Sequence, residues 1–296
     1  MKVFDNVSDL VGNTPLVKLT SLSRDDVVIY GKLEGHNPGG SVKDRAAWNM
    51  IRGAQARGEL PAGTKLIEAT SGNTGIALAM IARAQGIDIE LVMPENSTAE
   101  RVQTMRAYGA TVTLTPAEQT IEGSIDYARH KVEHEGFVML NQFANPDNYR
   151  AHYQTTGPEI WRDTDGQVTH FVSSMGTTGT IMGTSRYLKE RSRHVQIVGV
   201  QPTEGSNIPG IRRWSPEYLP AIFEPERVDQ VIDVSQDEAV DMARKLARDE
   251  GVFAGMSSGG SATAAYKLAQ TLERGFIVCI ICDRGDRYLS SDLFDF

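Results

Sequence analysis

The sequence predicts an α/β fold of mostly parallel sheets covered by helices. Strand-like apolar runs alternate with amphipathic helical segments, and small polar turns bearing glycine join several strands to the helices that follow. In chain order, Thr64-Lys65-Leu66-Ile67-Glu68-Ala69 reads as a strand and residues 75–85 as a helix. Ile89-Glu90-Leu91-Val92-Met93 is a second strand, 99–108 a helix, and Thr111-Val112-Thr113-Leu114 a third strand. His170-Phe171-Val172-Ser173-Ser174 opens a second series, with a helix over 180–191 and a strand at Gln196-Ile197-Val198-Gly199-Val200. Helices over 236–250 and 261–272 precede a last apolar strand at 276–282. The boundary between two such units falls near Asn145-Pro146-Asp147, dividing the chain into residues 1–146 and 147–296. In open parallel sheets ligands bind beyond the carboxyl ends of the strands, so those loops are where chemistry is sought.

The 296 residues are 40% hydrophobic and 23% charged, the profile of an ordinary soluble globular protein with enough core for two domains. A formal net charge of −8 opposes a general binder of nucleic acid or anionic membrane. No apolar run approaches the roughly 18 residues of a membrane span. Met1-Lys2-Val3-Phe4-Asp5 does not open a signal peptide, and a cytoplasmic protein is expected. Cys279 and Cys282 have C-x-x-C spacing, but they lie in an apolar strand, where residues three apart point to opposite faces. Buried thiols are therefore expected rather than a disulfide, with Cys282 at the strand's end open to exposure. The histidines show no clustering that would complete a zinc site, and no metal is expected.

The segment Asn37-Pro38-Gly39-Gly40-Ser41-Val42-Lys43-Asp44-Arg45 is the richest in chemistry. Asn37, before proline, is pushed out of the helical region. Ser41 is predicted to cap the next helix, with Asp44 as its capping-box partner. Lys43 then lies in the first turn, where the helix dipole disfavours a cation and biases the amine toward its neutral, nucleophilic form. Taken alone, the same lysine reads as a solvated helix-start residue. Three turns are suited to anions: Thr70-Ser71-Gly72-Asn73-Thr74-Gly75, Gly176-Thr177-Thr178-Gly179-Thr180 and Ser257-Ser258-Gly259-Gly260-Ser261. None is a P-loop or a dinucleotide fingerprint. Singly, each reads more simply as a well-capped strand-to-helix loop. Together with Lys43 they offer a Schiff-base amine, a phosphate cradle, a carboxylate cradle and a hydroxyl for a ring nitrogen. Those are the needs of pyridoxal 5′-phosphate carrying an amino acid.

With these motifs go Val11-Gly12-Asn13-Thr14-Pro15-Leu16, Asn141-Gln142-Phe143, Thr156-Gly157-Pro158-Glu159-Ile160, Gly255-Met256-Ser257-Ser258-Gly259 and Gly285-Asp286-Arg287-Tyr288-Leu289-Ser290. On this set the whole chain resembles the fold-type II pyridoxal-phosphate enzymes of the cysteine synthase (O-acetylserine sulfhydrylase) group. The resemblance implies two α/β domains with mostly parallel twisted sheets and the cofactor in the cleft between them. It also implies an early segment, residues 14–36, that crosses to the other domain, and a homodimer. By the same resemblance, Lys43 joins the cofactor and shuttles the α-proton, while Asn73 meets the ring hydroxyl. Gly176, Thr177, Thr178, Gly179 and Thr180 would cradle the phosphate, and Ser257, in preference to Ser258, would meet the pyridine nitrogen. Thr70, Ser71, Thr74 and Gln142 would hold the substrate carboxylate. A serine cannot keep the ring nitrogen protonated, which weakens the ring as an electron sink and favours loss of a β-leaving group. The implied activity is a transfer in which sulfide replaces the acetoxy group of O-acetyl-L-serine through α-aminoacrylate, giving L-cysteine and acetate.

Two details are more similar to the B than to the A isozyme of that group. One is the irregular loop Ile208-Pro209-Gly210-Ile211-Arg212-Arg213-Trp214-Ser215-Pro216, and the other is Ile280-Ile281-Cys282-Asp283-Arg284-Gly285-Asp286. Adjacent arginines suit an oxyanion, so the resemblance implies thiosulfate as a second sulfur donor, giving S-sulfocysteine, with Arg212, Arg213 and Cys282 at the substrate. The two arginines suit surface pairing with acids almost as well. Gly39 stands where alanine is common in the B group, which is expected only to loosen the turn. A serine or threonine dehydratase and a cystathionine β-synthase type of replacement share the cofactor and remain alternatives. A regulatory complex with serine acetyltransferase remains open too.

Overall fold

The computed structural model describes residues 3–70 and 72–295, where nine strands form two sheets. The larger sheet opens with β1 (Leu16–Lys18) antiparallel to β2 (Val27–Leu33). β2 pairs in parallel with the last strand of the chain, β9 (Gly275–Ile281). β6 (His170–Ser174), β7 (Gln196–Pro202) and β8 (Gln230–Val234) follow, giving the order β1-β2-β9-β6-β7-β8. The smaller sheet is all parallel: β3 (Lys65–Ala69), β4 (Asp88–Pro94) and β5 (Thr111–Thr115).

β9 is continuously apolar because both of its faces are covered. Ile277, Cys279 and Ile281 enter one core with Val172, Val198 and Leu268. Val278 and Ile280 enter the other with Phe171, Ile181 and Ile197. This is the period-two alternation of a buried parallel strand. A third core joins α1 (Lys43–Ala56) and α2 (Asn73–Ala84) to β3 and β4 through Met50, Ile51, Ile76, Leu78 and Leu91.

The remaining helices are α3 (Ala99–Ala107), α4 (Thr120–Glu135), α5 (Pro146–Gln154), α6 (Thr156–Asp163), α7 (Gly179–Arg191), α8 (Gln236–Glu250) and α9 (Met256–Ala269). α8 starts at a capping box in which the Ser235 hydroxyl accepts the Glu238 amide and Glu238 accepts the Ser235 amide. It stops at Gly251, which takes a φ of 68°. α9 begins earlier than the predicted 261, so Ser257-Ser258-Gly259-Gly260-Ser261 is a helical turn and not a loop. Its glycines serve packing, since a Cβ on Gly259 would lie 2.0 Å from the carbonyl oxygen of Ala239 in α8. No described helix is long and apolar enough to cross a membrane.

A buried ion network fastens the N-terminal strands to the helices beside the Lys43 turn. Arg45 is 2% exposed, and its guanidinium donates to both oxygens of Glu34 (2.7 and 2.8 Å) and of Glu159 (2.7 and 2.8 Å). Lys32 in β2 pairs with Glu159 at 2.8 Å, and the Thr14 hydroxyl donates to Glu34 at 2.7 Å.

Candidate active site

Lys43 is the first residue of α1, and the helix starts without the predicted capping box. The Ser41 hydroxyl accepts the Lys43 amide at 3.2 Å, but Asp44 does not reach back to Ser41. Its carboxylate instead accepts the Gly39 amide at 2.5 Å. A Cβ on Gly39 would lie 2.7 Å from that carboxylate, so this glycine makes room for Asp44 and does more than loosen the turn. The Val42 amide donates to the Cys282 carbonyl at 2.8 Å, hooking the turn to the end of β9. Among the described residues the Lys43 amine makes no hydrogen bond or ion pair. Burial holds its ammonium pKa below the ordinary value, against the opposing fields of Cys282 and Asp283.

Asn73 is the first residue of α2, and two partners fix its side chain. Its amide nitrogen donates to Asp283 at 2.7 Å, and its oxygen accepts from Arg287. Asp283 also accepts the Tyr288 hydroxyl at 2.7 Å, and Arg287 donates to the Gly39 carbonyl. The Thr74 hydroxyl donates to the Gln142 side chain at 2.7 Å, and both are buried. Thr70 ends the same loop's entry strand, where its amide donates to Val92 of β4 at 2.9 Å. Ser71 lies outside the described residues.

The turn 176–180 leads into α7 with Thr178 in the left-handed region at a φ of 68°, its buried hydroxyl without a hydrogen-bond partner. Gly176 and Gly179 permit close approach, since a Cβ would lie 2.6 Å from the Gly210 carbonyl oxygen and 2.0 Å from Asn148 Oδ1 respectively. Asn148 donates to the Thr177 hydroxyl at 3.1 Å and to the Gln142 carbonyl at 2.8 Å, linking this turn to the Thr74 loop. His152 touches Thr180 at 3.3 Å, and burial pushes its imidazole pKa down to about 3, so the ring is neutral. Trp214 Nε1 donates to the Gly176 carbonyl at 2.8 Å and the Arg212 amide to that of Met175 at 2.9 Å, seating loop 208–216 against the turn.

Ser257 and Ser258 sit in the first turn of α9 with different neighbours. The Ser258 hydroxyl accepts the Cys282 amide at 2.9 Å and is engaged, whereas the Ser257 hydroxyl meets the Cys282 thiol. Cys282 is 8% exposed, so both thiols are buried as expected and the exposure left open for Cys282 does not occur: it faces the core beside Val42 and Ile280. Burial raises that thiol's pKa to about 11 and that of Cys279 to about 12, and both cysteines are free. The two arginines also part company. Arg213 pairs with Asp233 at 2.7 Å and donates to the Pro202 carbonyl at 2.9 Å, while Arg212 is exposed without an ion pair among the described residues.

The segment from Cys282 to Arg287 thus contacts the Lys43 turn, α2 and α9 together. A family model described as pyridoxal-phosphate dependent enzyme matches residues 7–283. The chain belongs to that family. A Pseudomonas aeruginosa protein named cysteine synthase B is 58% identical over 294 residues, spanning 99% of this chain and 98% of its own length. An Escherichia coli cysteine synthase B is 55% identical over 285 residues, covering 96% and 94%. A crystal structure of cysteine synthase from Entamoeba histolytica, 36% identical, superposes with a TM-score of 0.94 over 100% of this chain and 92% of that one.

The residues present fit the family's cofactor. A buried, unpartnered Thr178 hydroxyl and two side-chain-free positions at the positive end of α7 suit a phosphate. Lys43 presents a desolvated amine for an aldehyde, and Ser257 a neutral hydroxyl for a ring nitrogen. Asp283, Arg287 and Tyr288 lie in motifs quoted for the resemblance but without a role, and Asn148 in none; as supporting residues each acts on positions distant in sequence.

Proposed function

We propose that the protein is a cysteine synthase, replacing the acetoxy group of O-acetyl-L-serine by sulfide to give L-cysteine and acetate. The observation that carries this is the convergence of the Lys43 turn, Asn73 and the Ser257 helix on the single segment 282–287. The near full-length identity to relatives named cysteine synthase supports the substrate and favours replacement over the dehydratase and cystathionine β-synthase alternatives.

Bound pyridoxal phosphate supplies an aldehyde and an electron-withdrawing ring that labilises the α-proton and the β-substituent of an amino acid. Lys43 is the residue that joins it and carries the α-proton, a role that desolvation of its amine favours. Asn73, held by Asp283 and Arg287, orients the ring through its hydroxyl. Gly176, Thr177, Thr178, Gly179 and Thr180 hold the phosphate, and Ser257 faces the ring nitrogen. Thr70, Thr74 and Gln142 hold the substrate carboxylate, with Ser71 assigned the same role from its place in the loop. Cys282 contributes a neutral thiol beside Ser257.

Thiosulfate is the second donor in this proposal, and Arg212, without an acidic partner among the described residues, is the residue that receives it. Arg213 acts behind it, bound to Asp233. Residues 1–146 and 147–296 are the two domains, with 14–36 crossing over; the pairing of β2 with β9 supports that crossing. We further propose a cytoplasmic homodimer, able to dock serine acetyltransferase. The test is O-acetylserine supplied with sulfide or thiosulfate, following cysteine, S-sulfocysteine and pyruvate. Dominant pyruvate would overturn the proposal in favour of a dehydratase.

A further inference from the structure

Val138 forms an isolated parallel bridge with Leu66 of β3, and residues 139–142 lead away from it. The Val138 amide donates to the Lys65 carbonyl at 2.9 Å, and the Ile67 amide to the Val138 carbonyl at 3.0 Å. Beyond that pairing Asn141 takes a left-handed φ of 53°. There the Asn141 amide donates to a Glu68 carboxyl oxygen at 3.2 Å. Glu68 is 4% exposed, opposite Leu91 of β4, and makes no ion pair among the described residues.

A buried carboxylate without a cation is costly, and with apolar Leu66, Ile67 and Ala69 filling the neighbouring positions of this strand, burial raises the Glu68 pKa to about 7 against the opposing pull of the backbone amides. Successive N–H groups in a turn form a concavity for an anion, and here the protein's own carboxylate fills it. The turn it holds carries Gln142, whose side-chain oxygen accepts the Thr74 hydroxyl and whose carbonyl accepts Asn148. Thr70 lies two residues past Glu68, just beyond the end of β3.

We propose that Glu68 is a positioning residue for the substrate carboxylate: by anchoring the Asn141 amide it sets the adjoining Gln142 carboxamide against Thr74. This rests on the proposal that Gln142, Thr74 and Thr70 hold that carboxylate. Loosening them weakens ground-state and transition-state binding alike, so the effect falls on KM and not on kcat. Glu68→Gln keeps the size but turns an NH2 or a weaker neutral acceptor toward the Asn141 amide.

The experiment compares wild-type holoenzyme with Glu68→Gln and Glu68→Asp, measuring KM and kcat for O-acetylserine with sulfide, together with the cofactor's visible absorbance. At pH 8, above the Glu68 pKa of about 7, Glu68→Gln should raise KM about tenfold, the worth of one charge-assisted hydrogen bond, with unchanged absorbance and kcat. Glu68→Asp, which keeps the charge at shorter reach, should show a smaller rise. In a Gln142→Ala background Glu68→Gln should add nothing further. Wild-type KM in the folded Glu68→Gln variant, or an equal additional loss in the Gln142→Ala background, overturns the inference alone. If Glu68→Gln does not fold, unchanged KM in Glu68→Asp overturns it. Wild-type enzyme that forms no cysteine overturns the proposed function, and the inference with it.

Discussion

Replacing Arg45 with methionine leaves two buried carboxylates facing each other without the guanidinium between them. Arg45 donates five hydrogen bonds in this cluster, to Glu34, Glu159 and Thr14. Glu159 keeps Lys32 at 2.8 Å, so Glu34, fully buried, bears most of the loss. Removing one partner of a buried pair costs about 3–5 kcal/mol, because the remaining charge is neither solvated nor compensated. Burial alone raises the pKa of both carboxyls, but Arg45, with help from Thr14 and Lys32, leaves Glu34 below its ordinary value and Glu159 at about 2. Their stabilising contribution is therefore complete above about 4.5 and fades as pH falls toward 2. In Arg45→Met the burial cost prevails at Glu34, so the gap to wild type should be widest near neutral pH and narrow in acid. Urea denaturation at several pH values measures it. Glu34→Gln in the Arg45→Met background should recover part of the stability by removing the stranded charge. A loss below about 1 kcal/mol at neutral pH, the ordinary worth of an exposed pair, would refute the reasoning, as would a double variant no better than the single.

Lys43→Ala should retain its fold, shown by an unchanged circular dichroism spectrum, and lose turnover of O-acetylserine altogether; measurable turnover contradicts the role assigned to the amine. Arg212→Ala should reduce kcat/KM for thiosulfate about tenfold or more while sparing sulfide, whereas Arg213→Ala should also lower thermal stability through Asp233. Equal losses with both donors would remove the oxyanion role. Gly183→Ala should destabilise by about 1–3 kcal/mol or more, since its Cβ would lie 2.0 Å from the Tyr149 carbonyl oxygen where α5 crosses α7. A denaturation midpoint equal to wild type would deny that contact. Cys279 and Cys282 should resist iodoacetamide at pH 8 in the native protein and react on unfolding, because burial holds both thiols protonated; rapid native labelling of Cys282 would refute its burial.

Elements whose signals are local were legible in the sequence. α8 follows Ser235 and Glu238 and ends at Gly251, and β9 is a continuous apolar run because both faces are covered. The helix starts at Lys43, Asn73 and Gly179 were close to where the turn residues put them. What escaped depends on partners far away. β2 includes a lysine, and Lys32 is tolerable in a buried strand only because Glu159 lies against it. α5 and α6 bury Asn148, His152 and Thr156 against the 176–180 turn and α7, so their inward faces look like surface. Gly259-Gly260 carries a loop's composition, yet the absent side chains let α9 approach α8. Asp283 and Arg287 reach Asn73 from the opposite end of the chain, where spacing is silent.

The pairing of Val27 with Gly275, at the head of the β2–β9 ladder, bears on how the chain is made. Its first long strand leaves the ribosome about 250 residues before the partner it needs, whereas β3, β4 and β5 are contiguous and complete a sheet early. The larger sheet therefore closes only after β9 has been synthesised. Lys43, tied through Val42 to Cys282, acquires its final surroundings at that moment. A nascent chain stalled before β9 lacks the segment to which the Lys43 turn is hooked, and so cannot assemble a working centre.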